Sequence, residues 1–322
     1  MNIMVKNQSK TGQYSMSDYN YSKFPDVPDN IYAASLKKPQ GLSDDWLEPA
    51  QRDYTVEEHK TWDKLYKRQM DILKNRACDQ FFDGLTFLNF DCGGVPDFNK
   101  TNEILKAKTG WSVVAVPMLI PDHVFFYHLA NKRFPAGNFI RKPDQSDYIE
   151  EPDVFHDAFG HVPLLADPAF AHYMEAYGKA GWKALQYNQL KALSALYWYT
   201  VEYGLINTTE GMRIYGAGIL SSFEETPYSL EGKSPNRIHL NVDRVMRTDY
   251  KIYDLQASYF AINSFEELFT QTEERPFDDI YQNIGASFQY APTAVLETDH
   301  IYSRGTQEYS LRGGRGSNAK AV

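Results

Sequence analysis

EPDVFHDAFGHVPLLADP, residues 151–168, is the stretch around which the rest of this chain is organised. Two histidines, His156 and His161, stand five apart in it among Asp153 and Asp157, with Gly160 directly before the second. Neutral imidazole is a ligand for Fe, Zn, Cu and Ni, and two histidines plus a carboxylate with open positions is the arrangement of non-haem Fe(II) oxygenases. On an ideal α-helix, residues five apart are separated by roughly 140° around the axis, against roughly 40° for an i, i+4 pair. Both rings reach one ion only if the helix is distorted, with Gly160 the expected place, or if the two side chains lean around the cylinder towards each other. Taken alone, two histidines at this spacing are an ordinary surface coincidence. The carboxylates crowded beside His156, in a chain with only eight histidines, favour a metal site.

A third ligand has to come from elsewhere. Glu202 is the first candidate, because it is the only charge in the aromatic segment LYWYTVEYGLI, residues 196–206, and a buried carboxylate needs a cation or a metal. Composition alone is equally compatible with Glu202 facing water on an amphipathic helix. Asp153, Asp157 and Glu175 stay open as rival ligands at this point.

The 322 residues suffice for a large core, and 43% hydrophobic with 15% aromatic content describes a folded globular chain. A net charge of -9 argues against nucleic acid as the main partner. Cys78 and Cys92 are too few for a disulfide framework or a cysteine zinc site, so a reducing cytoplasm is expected. The polar start MNIMVKNQSKTG shows no signal peptide, and the most apolar run, residues 111–121, is too short to span a bilayer.

Along the chain, residues 1–45 read as an extended arm, 46–290 as one domain, and 291–322 as a flexible tail. Thr55 and Glu58 form a capping box before a helix striped by Trp62, Leu65, Tyr66, Met70 and Leu73. A helix from about Asp97 to Lys108, stopped by Gly110, precedes a strand at 111–116. Pro117 to Pro121 is a proline-bracketed apolar loop that plugs the core or lines a pocket, and Asp122 is a cap for the next helix. Helices follow from Asp167 and over 189–205, a glycine-containing strand or loop at 213–222, then short strands and a helix near 263–269 capped by Ser264. The fold class expected is mostly α with short β-strands, α+β.

Six ordered segments then resemble one family, the pterin-dependent aromatic amino acid hydroxylases, and within it the bacterial phenylalanine 4-hydroxylases. They are VPMLIPDHVFF (116–126), HLANKRFP (128–135), EPDVFHDAFGHVPLL (151–165), LYWYTVEYGLIN (196–207), MRIYGAGILSS (212–222) and SPNRIHL (234–240). The resemblance covers roughly Tyr54 to Phe269 and implies a single catalytic domain of that type. It implies Fe(2+) on His156, His161 and Glu202, which form the catalytic centre. It implies a tetrahydropterin, tetrahydrobiopterin or a bacterial equivalent, against Pro117, Leu119, Ile120, Phe125, Asp157 and Tyr197. Met118 stands where relatives commonly have glycine. Substrate residues implied are Arg141 for the carboxylate and Tyr148, Pro152, Trp198 and Ser221 around the aromatic ring.

The implied reaction is phenylalanine 4-monooxygenation, L-phenylalanine and O2 giving L-tyrosine, with tryptophan or tyrosine as alternative substrates in the same family. A zinc-dependent hydrolase is the competing reading from another class, although no H-E-x-x-H motif is present. Neither the regulatory domain nor the C-terminal heptad helix of eukaryotic relatives is evident, so a monomer or weak homodimer is expected, with no membrane or nucleic-acid partner.

Overall fold

Helix α1 (Val56–Leu73) begins where the capping box places it. The Thr55 hydroxyl accepts the Glu58 amide, and the Glu58 carboxylate accepts the Thr55 amide. Its Trp62, Leu65 and Leu73 face the core. The computed structural model describes residues 40–147, 151–252, 254–273, 277–285 and 288–314. Most of the expected arm, and Tyr148, therefore lie outside the described residues. Helix α2 (Asp79–Phe87) follows, then α3 (Phe98–Lys108), capped by Asp97 through the Asn99 amide. Gly110, at φ +82°, turns the chain into β1 (Ser112–Val116).

Strand β1 pairs in parallel with β2 (Arg133–Gly137) across helix α4 (Asp122–Ala130), a right-sized crossover for parallel strands. Two expectations change here. Asp122 is the first residue of α4, and the cap position is Pro121 with no side-chain bond. Strand β2 was hidden by Pro135, a residue tolerated only because a two-stranded sheet consists of edges.

Helix α5 (Pro168–Gln186) starts at Asp167, whose carboxylate accepts the Ala169 and Phe170 amides at 2.9 Å. It lies against α4 at backbone distance: a Cβ on Gly178 would stand 2.2 Å from the Ala130 nitrogen. Helix α6 (Leu190–Tyr197) runs on into the aromatic segment.

The second sheet has the order β4-β3-β6-β5-β7, from β3 (Leu205–Thr208), β4 (Gly211–Ile214), β5 (Asn236–His239), β6 (Ser258–Ile262) and β7 (Ile301–Ser303). The β3–β6 and β5–β6 pairs are parallel, and β4 and β7 close the edges antiparallel. The Ser264 hydroxyl accepts the Glu267 amide at the start of the helix Phe265–Glu273, as expected. Among the described residues helices thus outweigh the short strands, packed around a main apolar core with a smaller cluster of Trp46, Val116, Ile120 and Val124 beside it.

The expectation of a flexible tail from 291 needs correction up to residue 314. Strand β7 and the turn Glu308–Leu311 dock on the sheet through backbone and side-chain hydrogen bonds. Low apolar content hid this segment, because its attachment is mainly polar. Residues 315–322 lie outside the described residues.

Candidate metal centre

Residues Phe155–His161 are wound as a π-helix, and Trp198–Glu202 form a second one continuing α6. Hydrogen bonding from i to i+5 widens the turn, so residues five apart come onto one side. His156 and His161 thereby converge, and the second π-helix ends on Glu202. The irregular winding was expected at Gly160, but it extends over all seven residues. Gly160 serves another need: a Cβ there would lie 2.9 Å from the Ala217 carbonyl oxygen and 3.1 Å from its Cβ. Only glycine lets the helix touch the Ala217–Leu220 turn.

The two Nε2 atoms lie 3.2 Å apart. Glu202 Oε1 is 3.2 Å from His161 Nε2, and Oε2 is 3.6 Å from His156 Nε2. One donor atom from each of the three falls within 4.8 Å of the others. The Glu202 side chain is 13% exposed, which removes the water-facing alternative. A Cβ on Gly218 would stand 3.2 Å from Glu202 Oε2, so the turn after β4 also presses on this carboxylate.

Ser221 fixes the orientation of one ring. Its hydroxyl donates to the Ala217 carbonyl at 2.8 Å and stands 2.8 Å from His156 Nδ1. His156 therefore donates through Nδ1 and keeps its Nε2 lone pair for the centre. Burial holds the His156 pKa down to about 4, against the pull of Glu202. For Glu202, burial pushes the pKa up, but His161 and His156 outweigh it and the net shift is downward. A neutral His156 imidazole lone pair, a second imidazole nitrogen and a carboxylate thus share a small buried space. A divalent cation satisfies all three, so the donor set fits the expected iron.

The rival carboxylates are engaged elsewhere. Asp153 pairs with Arg141 at 2.8 and 2.7 Å and also accepts the His156 amide at 3.1 Å. Burial would raise its pKa, but Arg141 more than offsets it. Asp157 accepts the Gly137 amide at 2.7 Å, and burial pushes its pKa up to about 7. Glu175 pairs with Lys179 and Lys132.

Of the other candidates, Tyr197 and, through it, Phe125 reach the centre. Pro117 and Leu119 are half-buried in an irregular loop ending at buried Ile120. Phe125 meets Tyr197 edge-on at 5.4 Å, and Tyr197 stacks toward His161 at 6.2 Å. Arg141 is buried; Asp153 takes its Nε and Nη2 edge, which leaves the remaining guanidinium hydrogens for another acceptor. Pro152 lies beside the end of β2, its carbonyl 3.2 Å from where a Gly137 Cβ would be. Trp198 begins the second π-helix, half-buried between Tyr203 and Tyr250.

Sequence reasoning did not anticipate Asp153 as the partner of Arg141, nor the hydroxyl of Ser221 on His156. Spacings of 12 and 65 residues carry no local signal for either.

These elements define a centre of the two-histidine, one-carboxylate type carried on two π-helices. Comparison with known proteins narrows it. The family described as biopterin-dependent aromatic amino acid hydroxylase matches residues 16–296. A phenylalanine-4-hydroxylase of Caulobacter vibrioides is 51% identical over 284 residues, covering 88% of this chain and 96% of that protein. The one from Chromobacterium violaceum is 50% identical over 286 residues, covering 88% and 95%. Crystal structures of the Chromobacterium violaceum enzyme, one with iron and phenylalanine bound and one with cobalt, superimpose with TM-scores of 0.77 and 0.79 at 50% identity. They cover 80% and 81% of this chain, and 94% of each of those chains. This chain belongs to the biopterin-dependent aromatic amino acid hydroxylase family.

Proposed function

We infer that this chain is a phenylalanine 4-monooxygenase, converting L-phenylalanine and O2 to L-tyrosine with a tetrahydropterin at a non-haem Fe(II) centre. The observation that carries the reading is the convergence of His156, His161 and Glu202 in a chain half identical to phenylalanine-4-hydroxylases. The names of those relatives favour phenylalanine over tryptophan or tyrosine, and the family match leaves a zinc hydrolase without support.

His156, His161 and Glu202 would hold the iron. When bound, iron and tetrahydropterin together activate O2 and supply the electrons that protein side chains lack. Ser221 holds His156 in the tautomer that ligates. Phe125, Tyr197 and the loop of Pro117, Leu119 and Ile120 would line the pterin site, with Asp157 as a polar group for it. Arg141, braced by Asp153, receives the substrate carboxylate, while Pro152, Trp198 and Ser221 bound the ring. Tyr148 belongs to the same set by sequence. These aromatic walls exclude water from the reacting centre.

Among the described residues no helix is long and apolar enough to cross a membrane. The reading includes a monomer or weak homodimer working in the cytoplasm on small molecules.

The test is anaerobic loading with Fe(II), then air, phenylalanine and a tetrahydropterin, with tyrosine scored by chromatography. Wild type is expected to form tyrosine and Glu202→Ala none. No hydroxylated product from phenylalanine, tryptophan or tyrosine in the wild type would end the reading.

A further inference from the structure

Gln256 lies outside every group assigned above, yet its side chain ends on Trp198. The Trp198 indole Nε1 donates to Gln256 Oε1 at 2.9 Å. Gln256 is buried, and its own amide nitrogen donates to two carbonyls, Lys251 at 2.8 Å and Asp254 at 2.9 Å. Both of its N–H hydrogens are thereby used, so only the oxygen can face the indole. A flipped amide would set oxygen against two carbonyl oxygens and N–H against N–H. The Gln256 backbone amide donates to the buried carboxylate of Glu225 at 3.0 Å, and the Tyr259 hydroxyl donates to the same oxygen. The acceptor offered to Trp198 is therefore fixed from three sides.

The faces of the indole are fixed as well. Tyr250 stacks at 4.9 Å with an interplanar angle of 24°, and Tyr203 lies at 4.6 Å and 34°. Tyr250, Lys251, Asp254 and Gln256 belong to one loop before β6. That loop is braced from the chain's last described segment, where the Tyr309 hydroxyl donates to Asp254 Oδ1 at 2.6 Å. Stacking restrains tilt of the indole, while the single N–H bond restrains its rotation in plane.

We propose that Gln256 is a positioning residue which, through the Trp198 indole N–H, sets the wall of the aromatic substrate pocket. It rests on the reading of Trp198 as a pocket residue. Trp198 stands four residues before Glu202 on the same π-helix, so its orientation is set relative to the metal ligand itself. With Gln256 gone, the indole N–H loses its acceptor and the ring seeks another orientation, which moves the substrate ring relative to the centre.

The test uses the full iron-loaded chain and compares Gln256→Met and Trp198→Phe, singly and together. Read out are KM for phenylalanine, kcat, and tyrosine formed per pterin oxidised. Gln256→Met is expected to raise KM about tenfold, to lower kcat by less than about threefold, and to waste pterin. Because phenylalanine at 198 has no N–H, Gln256→Met should add less than about twofold to KM in the Trp198→Phe background. Tyr309→Phe, which removes one hydroxyl at the outer edge of the loop, should raise KM by about twofold and stands in should Gln256→Met not fold. Equal effects of Gln256→Met in both backgrounds, or a KM unmoved by Gln256→Met and Tyr309→Phe, would overturn the proposal while leaving Trp198 in the pocket. Wild-type KM and coupling in Trp198→Phe alone would overturn both the proposal and the placing of Trp198. Absence of tyrosine from the wild type would instead mark failure of the enzymatic reading as a whole.

Discussion

His128 is fully buried on α4, with Nε2 2.8 Å from the Asp45 carbonyl oxygen. The neutral ring donates there through Nε2, and its Nδ1 has no hydrogen-bond partner among the described residues. Protonation would add a buried donor with nothing to receive it, close to Arg133. Burial first, and Arg133 second, hold its pKa down to about 4, with the Asp45 carbonyl and carboxylate pulling the other way. The unfolded chain takes up this proton near 6.5, so between about 6.5 and 4 it binds more protons than the native state. Stability therefore falls as pH drops through that window. From pH 7 to pH 5 this ring accounts for a loss of about 2 kcal/mol. His128→Gln, which keeps a donor and cannot titrate there, should show a correspondingly smaller loss in urea unfolding at the two pH values. An identical pH dependence in both proteins would show that the ring is not buried neutral. Ser221 gives the second prediction at this scale. Ser221→Ala removes the acceptor of His156 Nδ1–H, and Fe(II) affinity should fall about 10- to 100-fold by competition with a chelator, without substrate present. Unchanged affinity would leave His156 oriented by something other than Ser221.

Between residue and molecule the two π-helices carry the function. The wide turn is a costly winding, and it persists because tertiary packing holds it. On the first π-helix, Gly160 lies against Ala217, and the turn beginning there carries Ser221 back to His156. Gly160→Ala should push the two segments apart by a few tenths of an ångström. The expected result is a stability loss of about 1–3 kcal/mol in denaturant unfolding, together with weaker Fe(II) binding. A variant with wild-type stability and affinity would show that the contact is slack. This element also shows where sequence reading stops. The H-x4-H spacing predicted either an irregular helix or side chains leaning towards each other, since regular winding sends the rings about 140° apart. It did not predict how far the irregularity extends, because π-winding is stabilised by neighbours distant in sequence. The same limit applies to Arg141: from its neighbours alone it reads as a surface ion pair, with the carboxylate role implied by the resemblance, and Asp153, which pairs with it in the interior, reads as a rival ligand. Element identity follows from local period and caps, as at Thr55, Asp97 and Asp167, whereas pairing of side chains across elements does not.

At the scale of the whole molecule, the last described segment is held by polar contacts. Strand β7 closes one edge of the five-stranded sheet against β5. The buried guanidinium of Arg237 donates to the Ser303 hydroxyl at 3.1 Å and to the carbonyls of Ser229 and Gly232. Gly305 and Tyr309 donate their amides to Asn236 and Ser234, and Gln307 reaches the Ala257 carbonyl at 2.9 Å. Composition could not reveal this, because backbone pairing has no sequence cost and the few apolar residues of 291–314 look like a tail. Truncation after Asp299 keeps the Arg244–Asp299 pair and the Arg237 bonds to Ser229 and Gly232, but removes β7 and every contact made by Ser303, Gly305, Gln307 and Tyr309. It leaves Arg237 short of one acceptor and strips the β5 edge. The loss should exceed about 2 kcal/mol, since a buried charged donor without its partner alone costs on the order of 1–3 kcal/mol. It should be seen as a lower urea midpoint with little change in slope, because the rest of the domain still unfolds as one unit. The same truncation frees Asp254 from Tyr309, so KM for phenylalanine should rise in the direction expected of Tyr309→Phe. A truncated chain with unchanged midpoint and KM would mean that the segment rests on the sheet without supporting it, and the loop around Trp198 would then have to be held from within the domain alone.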